Sequence, residues 1–374
     1  MIKITEFNEK LQKEKLATED LKAPFEEIDA AELSQSEKVG PQSFRPVARL
    51  GKGSFGEVYL VEKISSGKYY AMKTLHKKKI MGQNLVKYAK TERNVMSYFH
   101  HPFIVGLNFA FQTPEKLFLI LDYCPGGDLG GVLSREKKFD EPRARGYLAE
   151  ILLALQELHK RDIVFRDLKP DNVVIDEEGH ACLTDFGLSK EGVMDNNQAK
   201  SFCGSVAYLA PEVLRRAGHG KSIDWYLTGV LLYEMLVGIP PYFSNNKEQM
   251  FANIEGGPLR LPHYLSAEAK DLLIKLLNRN PNKRLGAGKD DAEEIKSHAF
   301  FVDVNWETIY ERGQKMVEVP MRKIKKSSMP LDEMIYGKYT NTEVEHDHER
   351  NKIPGWSFVE EIKKGNKEEP VYQE

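Results

Sequence analysis

The sequence predicts an α+β fold in which a smaller, mainly β part precedes a larger, mainly α part. Two strand-like runs, 58–61 and 69–73, follow a glycine-rich loop and are joined by the turn 65–67. Apolar runs on either side of the acidic turn 176–179 predict a further hairpin. The amphipathic run 144–159 predicts a long helix. Strands that come early and a long helix that comes later are typical of an α+β chain.

Composition narrows the class of protein. The 374 residues are 41% hydrophobic and 29% charged, as in a soluble globular protein with a large core. Lys plus Arg number 54 and Asp plus Glu 56, so we expect neither a nucleic-acid partner nor a membrane surface. Cys124, Cys182 and Cys203 form no paired framework and no metal spacing, which favours a reduced, intracellular setting. No apolar stretch reaches about 18 residues and no secretory run is seen, so we expect no membrane insertion.

The residues that carry chemistry cluster between 164 and 187. Asp167 and Asn172 precede the predicted hairpin and Asp185 follows it, so the hairpin should bring all three to one end. Two carboxylates and an amide supply oxygen ligands for Mg²⁺ with phosphates attached. The alternative interpretation is a charged surface hairpin.

The segments 166–172 and 185–187 closely resemble the catalytic loop and the metal-binding motif of protein kinases. The resemblance implies that Asp167 accepts the proton of the substrate hydroxyl, and that Asn172 and Asp185 hold metal ions. Lys169 lies two residues after the catalytic Asp, where serine/threonine kinases have a lysine, and it would steady the γ-phosphate. Phe165 departs from the family, which usually has His or Tyr there. The implied fold is the bilobal kinase fold, and the implied cofactors are ATP and Mg²⁺.

The glycine-rich loop 50–58 contains G-x-G-x-x-G, which dinucleotide-binding domains share. Such a domain would open a helix directly afterwards, whereas a strand, a turn and a strand follow here. This order resembles the kinase small lobe, whose glycines let the backbone close over phosphates. Lys73 matches the phosphate-binding lysine of the family, and its implied partner is Glu92 on a helix.

The run 118–128 resembles the hinge between kinase lobes. The resemblance implies that Leu121 is the gatekeeper residue and that the backbones of Asp122 and Cys124 face the adenine of ATP. The complete set implied to bind ATP is Leu50, Gly51, Lys52, Gly53, Ser54, Phe55, Gly56, Glu57, Val58, Ala71, Lys73, Glu92, Leu121, Asp122, Cys124 and Val174.

Residues 200–212 resemble an activation segment that ends in Ala-Pro-Glu. The resemblance implies that an upstream activating kinase phosphorylates Ser201 and that Arg166 and Lys190 receive the phosphate. It further implies that Glu212 pairs with Arg284, and that Asp224 braces the catalytic loop.

Three acidic residues occupy positions where related kinases meet Arg or Lys upstream of the target hydroxyl: Asp128, Asp171 and Glu234. The resemblance therefore implies protein substrates with basic residues near the target Ser or Thr. Ser205 keeps a hydroxyl near Asp167 and Lys169.

The last 70 or so residues resemble the tail of the AGC group of kinases, near the protein kinase B and S6 kinase branches. The segment 353–358 matches the hydrophobic motif, with Ser357 as its phosphorylation site. The implied role is docking into an apolar pocket beside the helix of Glu92, with Lys77 as a partner of the phosphate. The alternative is a loose tail with two chance aromatics. The stretch 331–342 aligns poorly, and Thr340 and Thr342 both stay open as turn-motif phosphosites.

We therefore predict an N-terminal extension (1–43), a protein kinase domain (44–301) and an AGC-type tail (302–374). Within the domain, the small lobe spans about 44–121, the hinge 122–127 and the large lobe 128–301. The predicted function is that of a monomeric serine/threonine kinase in the cytoplasm or nucleus. The alternative is a nucleotide-binding pseudokinase scaffold, against which the presence of the lysine, both aspartates and the asparagine argues. A dinucleotide oxidoreductase is a remote third.

Overall fold

The structure is a computed structural model that describes residues 39–53, 55–82, 85–189, 206–313, 316, 335–336 and 352–359. Several predictions concern residues outside these ranges: those for the N-terminal extension up to residue 38, Ser54, Lys190, Ser201, Ser205, Thr340 and Thr342. Within the ranges, the helices are too short or too polar to cross a membrane.

A six-stranded antiparallel sheet forms the small lobe. Its strands are β1 (Phe44–Lys52), β2 (Glu57–Lys63), β3 (Tyr69–His76), β4 (Leu107–Gln112), β5 (Lys116–Asp122) and, from the tail, β9 (Phe358–Val359), in the order β1-β2-β3-β5-β4-β9. Helices α1 (Lys77–Gly82) and α2 (Val86–Tyr98) follow β3. Pro46, which cannot donate to a neighbouring strand, lies in the edge strand β1 beside a register shift. The predicted strands 58–61 and 69–73 are confirmed within β2 and β3.

The large lobe is mainly helical. Its helices are α3 (Leu129–Glu136), α4 (Glu141–Lys160), α5 (Pro211–Leu214), α6 (Ser222–Val237), α7 (Lys247–Gly256), α8 (Ala267–Leu276), α9 (Ala292–Lys296) and α10 (Trp306–Tyr310). The predicted helix 144–159 is confirmed as α4, which begins earlier because Asp140 caps it, accepting a hydrogen bond from Arg143 N at 3.1 Å. Helix α6 is buried on nearly all sides, as expected for the centre of a core. The predicted fold class is confirmed.

A small sheet carries the chemistry-bearing loops. Its strands are β6 (Gly127–Asp128), β7 (Val173–Ile175) and β8 (Ala181–Leu183). Strands β7 and β8 form the predicted hairpin. Val105 N donates to Leu183 O at 3.0 Å, and Leu183 N donates to Phe103 O at 2.9 Å. Since Asp185 lies two residues after the end of β8, these bonds help to fix its position relative to the small lobe.

A second hydrophobic core covers one face of the six-stranded sheet. Phe111 stacks on Phe118 with ring centroids 4.8 Å apart, and Ile335 from the tail is fully buried in the same cluster. Lys116 Nζ donates to the Ile335 carbonyl oxygen at 2.8 Å. The poorly aligning stretch of the tail therefore contributes to the core.

Candidate active site

A cleft of about 880 Å³ is lined by both lobes, a size typical of small-molecule sites. Every residue that the sequence assigns to ATP lines this cleft, apart from Ser54, which lies outside the described residues. The predicted catalytic and metal-binding residues line it as well: Asp167, Lys169, Asn172 and Asp185. The fold thus brings the predicted site together from segments that are far apart in the chain.

The glycine-rich loop approaches β3 most closely at Gly56, where only glycine fits. A β-carbon on Gly56 would lie 1.6 Å from the Thr74 carbonyl oxygen, whereas one on Gly51 would meet nothing within 4 Å. Gly53 N donates to Gly56 O at 2.8 Å and so closes the turn. The loop is therefore held at its base and leaves its first glycine open to the cleft, as a backbone that covers phosphates requires.

Lys73 lies between two carboxylates. Its Nζ is 2.5 Å from Glu92 Oε1, on helix α2, and 3.1 Å from Asp185 Oδ1. Burial lowers the pKa of Lys73, but attraction to Asp185 and Glu92 outweighs it, so the pKa is raised and the amine stays charged. The predicted pairing of Lys73 with Glu92 is confirmed.

Asp167 is fixed by two neighbours in its own loop. Lys169 Nζ and Asn172 Nδ2 each donate to Asp167 Oδ2 at 2.8 Å, and the same Nδ2 also donates to the Asp167 carbonyl oxygen at 2.8 Å. Burial raises the pKa of Asp167, while the bonds from Lys169 and Asn172 act in the opposite direction. The carboxylate is held in one orientation with a basicity above that of an exposed aspartate, which suits a proton acceptor.

Asn172 and Asp185 fit the magnesium ions that the resemblance implies. Because the Asn172 Nδ2 faces Asp167, its amide oxygen faces the other way. Asp185 has the left-handed backbone conformation (φ 66°) and a half-exposed carboxylate, 49% accessible. The Lys73 ammonium lowers the pKa of Asp185, which keeps it ionised. An amide oxygen and a carboxylate are the hard oxygen ligands that Mg²⁺ requires.

The aromatic and aliphatic end of the cleft matches the predicted adenine site. Ala71 is paired with Leu121 across β3 and β5, and the two side chains line the cleft with Val174. Asp122 N donates to Gly106 O at 3.1 Å, and its carboxylate accepts from Gly106 N and Asn108 Nδ2 at 3.1 and 2.9 Å. The hinge is thereby tied to the start of β4.

Comparison with known proteins agrees with this geometry. The model of the protein kinase domain matches residues 44–301. The chain belongs to the protein kinase family.

Three relatives show which branch this kinase chain resembles. It is 46% identical over 280 residues to a RAC family serine/threonine-protein kinase homolog of Dictyostelium discoideum, covering 75% of this chain and 62% of the relative. It is 45% identical over 287 residues to RAC-beta serine/threonine-protein kinase B of Xenopus laevis (77% and 59%). It is 48% identical over 282 residues to ribosomal protein S6 kinase alpha-2 of Homo sapiens (75% and 38%). The predicted AGC-group recognition is confirmed, and the chain spans only part of the length of these relatives.

Helix α6 supports the catalytic loop of this kinase domain through hydrogen bonds to the loop backbone. Asp224 Oδ2 accepts from Phe165 N at 2.8 Å and Asp224 Oδ1 from Arg166 N at 2.7 Å, which confirms the predicted brace. The predicted Glu212–Arg284 pair is also confirmed, with two buried hydrogen bonds of 2.7 and 3.0 Å. The Arg166 guanidinium donates to the Leu188 carbonyl oxygen at 2.7 Å.

Two residues that support this loop were not predicted. His159 at the end of α4 contacts Asp224, and Asp291 contacts His159. His159 sits at the edge of an amphipathic run and Asp291 in a charged one, so neither pattern indicated a buried polar contact.

Of the three predicted substrate-binding acids, Asp128 and Asp171 line the cleft, and Glu234 lies on α6 and interacts with Asp171. A β-carbon on Gly130 would lie 3.3 Å from Asp128 Oδ1 and 3.6 Å from Asp171 Oδ1, so both carboxylates flank that residue. Glu234 accepts a hydrogen bond from the Tyr208 hydroxyl. Burial, and then repulsion from Asp171, raise the pKa of Glu234 to about 7.

The hydrophobic motif of the tail docks on the small lobe, as predicted. Trp356 is 1% exposed and Ile353 is buried, while Ser357 is exposed. Arg93 Nη2 donates to the Ser357 carbonyl oxygen at 3.1 Å. Lys77 Nζ donates to Gln112 Oε1 at 2.8 Å, and among the described residues Arg93 is a cation that contacts the backbone of residue 357.

Proposed function

We propose that this chain is a protein serine/threonine kinase that transfers the γ-phosphoryl group of ATP to protein hydroxyl groups. The observation that carries the proposal is the presence of two polar contacts between predicted site residues in one cleft. Lys73 reaches Asp185 at 3.1 Å, and Asn172 reaches Asp167 at 2.8 Å. The relatives, which are named as serine/threonine-protein kinases and ribosomal protein S6 kinases, support the same activity.

Phosphoryl transfer depends on positioning and charge stabilisation more than on covalent chemistry. Lys73, kept charged by two carboxylates, would bind phosphate oxygens. Asp167 would orient the attacking hydroxyl and accept its proton, and Lys169 would stabilise charge on the transferred group. Bound Mg²⁺ at Asn172 and Asp185 would neutralise phosphate charge.

The decisive experiment compares the wild type with Asp167→Asn on a peptide array. Loss of a positioned base should lower turnover by about 10²–10⁴-fold, while ATP affinity, measured by calorimetry, should change little. Glu177→Gln, an exposed acid in the β7–β8 turn, is the matched control. Equal activity in Asp167→Asn would overturn the mechanism. ATP binding without phosphorylation by the wild type would favour the pseudokinase scaffold.

We further propose that substrates carry basic residues near the target Ser or Thr. The support is the acidic set Asp128, Asp171 and Glu234, in which two carboxylates flank Gly130. Burial and repulsion from Asp171 raise the pKa of the third, so a nearby guanidinium would stabilise its charged form. An array that varies the residues before the target hydroxyl tests the preference, and selection of acidic peptides would contradict it.

Regulation by phosphorylation is proposed at Ser201, through an upstream activating kinase, and at Ser357. A phosphate adds about −1.5 to −2 charge. At Ser357 it would lie near Arg93, which already contacts the backbone of that residue. Ser201→Ala and Ser357→Ala variants treated with a cell extract and ATP would show whether either site controls activity. Activity that survives phosphatase treatment would contradict the proposal.

An intracellular location, cytoplasmic or nuclear, is proposed on the cysteine usage of the chain; Cys124 and Cys182 are free thiols. Fractionation of cells that express a tagged chain would test it.

A further inference from the structure

At the end of α4, the buried ring of His159 lies between two carboxylates. Its Nε2 is 2.9 Å from Asp224 Oδ2 and its Nδ1 is 3.0 Å from Asp291 Oδ2. The side chains of His159 and Asp224 are completely buried. Because both ring nitrogens face carboxylate oxygens, both must donate, and only the imidazolium form can do that. Burial lowers the pKa of His159, but its hydrogen bonds to Asp224 and Asp291 outweigh burial and raise the pKa to about 9.

Asp224 connects His159 to the catalytic loop through hydrogen bonds. Its two oxygens accept from Phe165 N and Arg166 N. Arg166 has a left-handed backbone (φ 68°), which is unfavourable for a residue with a β-carbon. The next residue is Asp167. The bonds to Asp224 therefore stabilise the backbone conformation that aims the predicted catalytic carboxylate.

Asp291 is itself held in an unfavourable conformation, with φ 45° and ψ −118° just before α9. Its side chain accepts a hydrogen bond from Trp225 Nε1 at 2.7 Å, and the Trp225 ring packs edge-on against that of His159, with centroids 4.7 Å apart. Strain of this kind persists where surrounding contacts stabilise it, and it occurs preferentially at functional positions. Here the contacts fix a carboxylate against the His159 ring.

We propose that Asp291 is a positioning residue for phosphoryl transfer, acting through His159 and Asp224 on the loop that carries Asp167. The inference rests on the proposed kinase function. Asp224 faces His159 from α6 and Asp291 faces it from the segment before α9; the third neighbour, Trp225, is uncharged. Without the charge at residue 291, His159 loses its second proton at lower pH. Its bond to Asp224 then loses the positive charge of the donor and becomes weaker.

The key variant is Asp291→Asn, which keeps the size of the side chain and removes its charge. Asp291→Gly removes the side chain and relieves the backbone strain, so a loss of kcat measured while this variant is fully folded reports a loss of positioning. Asp290→Asn is the matched control, because Asp290 is the adjacent exposed acid. His159→Gln identifies the His159 signal among the ten histidines in NMR spectra.

In the wild type, the His159 ring should titrate at about pH 9. In Asp291→Asn that pKa should fall by more than about one unit, and the alkaline limb of the kcat profile should move with it. At pH 8, kcat should fall by about three- to tenfold while the KM for ATP changes less than about twofold. Asp291→Gly should show the same loss of kcat at a temperature at which the variant is fully folded.

Two results would overturn the role of Asp291: a wild-type His159 that titrates near its ordinary value, or an unchanged kcat profile in Asp291→Asn despite a lowered His159 pKa. The second result would leave Asp291 purely structural. Absence of phosphorylation by the wild type would overturn the proposed function and this role with it. The NMR titration does not depend on activity, so the two failures are distinguishable.

Discussion

Replacing Trp356 with alanine should release the tail from the small lobe and lower turnover. The indole Nε1 donates to the Phe111 carbonyl oxygen at 3.0 Å, and the following β9 pairs with β4. The Arg93 guanidinium lies 5.5 Å from the centroid of the Phe358 ring. Arg93 follows Glu92 on α2, so the tail contacts the helix that presents Glu92 to Lys73. Tail docking and the Lys73–Glu92 pair should therefore be coupled.

The size of the expected effect follows from the burial of the Trp356 side chain. Truncating a fully buried Trp to Ala in a core typically costs about 3–5 kcal/mol. The backbone of Ile353 adds two hydrogen bonds of 2.9 Å with the Gln112 side chain, each contributing about 0.5–1.5 kcal/mol. Ordering the segment costs about 1–2 kcal/mol per residue. Since the indole makes the largest favourable contribution, its loss should undock residues 352–359 and leave the domain folded.

Hydrogen exchange and kinetics test this together. In Trp356→Ala, exchange in 352–359 should rise at least about tenfold, which corresponds to about 1.4 kcal/mol of lost protection. Turnover should fall several-fold because α2 loses a contact that holds Glu92. Lys352→Ala, at an exposed position of the same segment, should behave like the wild type. Unchanged exchange and unchanged turnover in Trp356→Ala would refute the reasoning.

Three further predictions concern the domain itself. Arg284→Ala leaves Glu212 buried without its cation, so the free energy of unfolding in urea should fall by about 3–5 kcal/mol; a stability equal to that of the wild type would contradict the pairing. Gly56→Ala should weaken ATP binding by at least about tenfold in calorimetry, because its β-carbon would overlap the Thr74 carbonyl oxygen, whereas Gly51→Ala should have a smaller effect. Because the pKa of Glu234 is raised to about 7, its carboxylate loses its charge as the pH falls through 7. The KM for an arginine-containing peptide should therefore rise from pH 8 to pH 6 in the wild type and stay flat in Glu234→Gln; a flat wild-type profile would argue against a role in substrate binding.

The central part of the site could be predicted because its residues form contiguous motifs. Asp167, Lys169 and Asn172 lie within six residues, and the hairpin that brings Asp185 to them has a clear apolar pattern. Contacts between residues that are far apart in the sequence could be predicted only from the family resemblance. Glu212 and Arg284, for example, are 72 residues apart, and no local spacing connects them.

Contacts that run against the local pattern could not be predicted. Ile335 lies in a stretch that aligns poorly with the family, so the resemblance did not indicate that it is buried. Asp291 follows Lys289 and Asp290 in a charged run that would ordinarily face solvent. Only the folded chain brings it against His159, 132 residues earlier.

Unfavourable backbone conformations occur at the residues that connect Asp291 to the predicted catalytic site. Arg166, Asp185 and Asp291 all have positive φ values, of 68°, 66° and 45°, in regions that favour glycine. Arg166 precedes the predicted base, Asp185 carries a predicted metal ligand, and Asp291 holds the histidine behind them. Each conformation is unfavourable locally, so tertiary contacts must stabilise it. If those contacts serve catalysis, Asp291→Gly should reduce turnover even at temperatures at which the variant is fully folded, which the loss of a purely structural residue would not do.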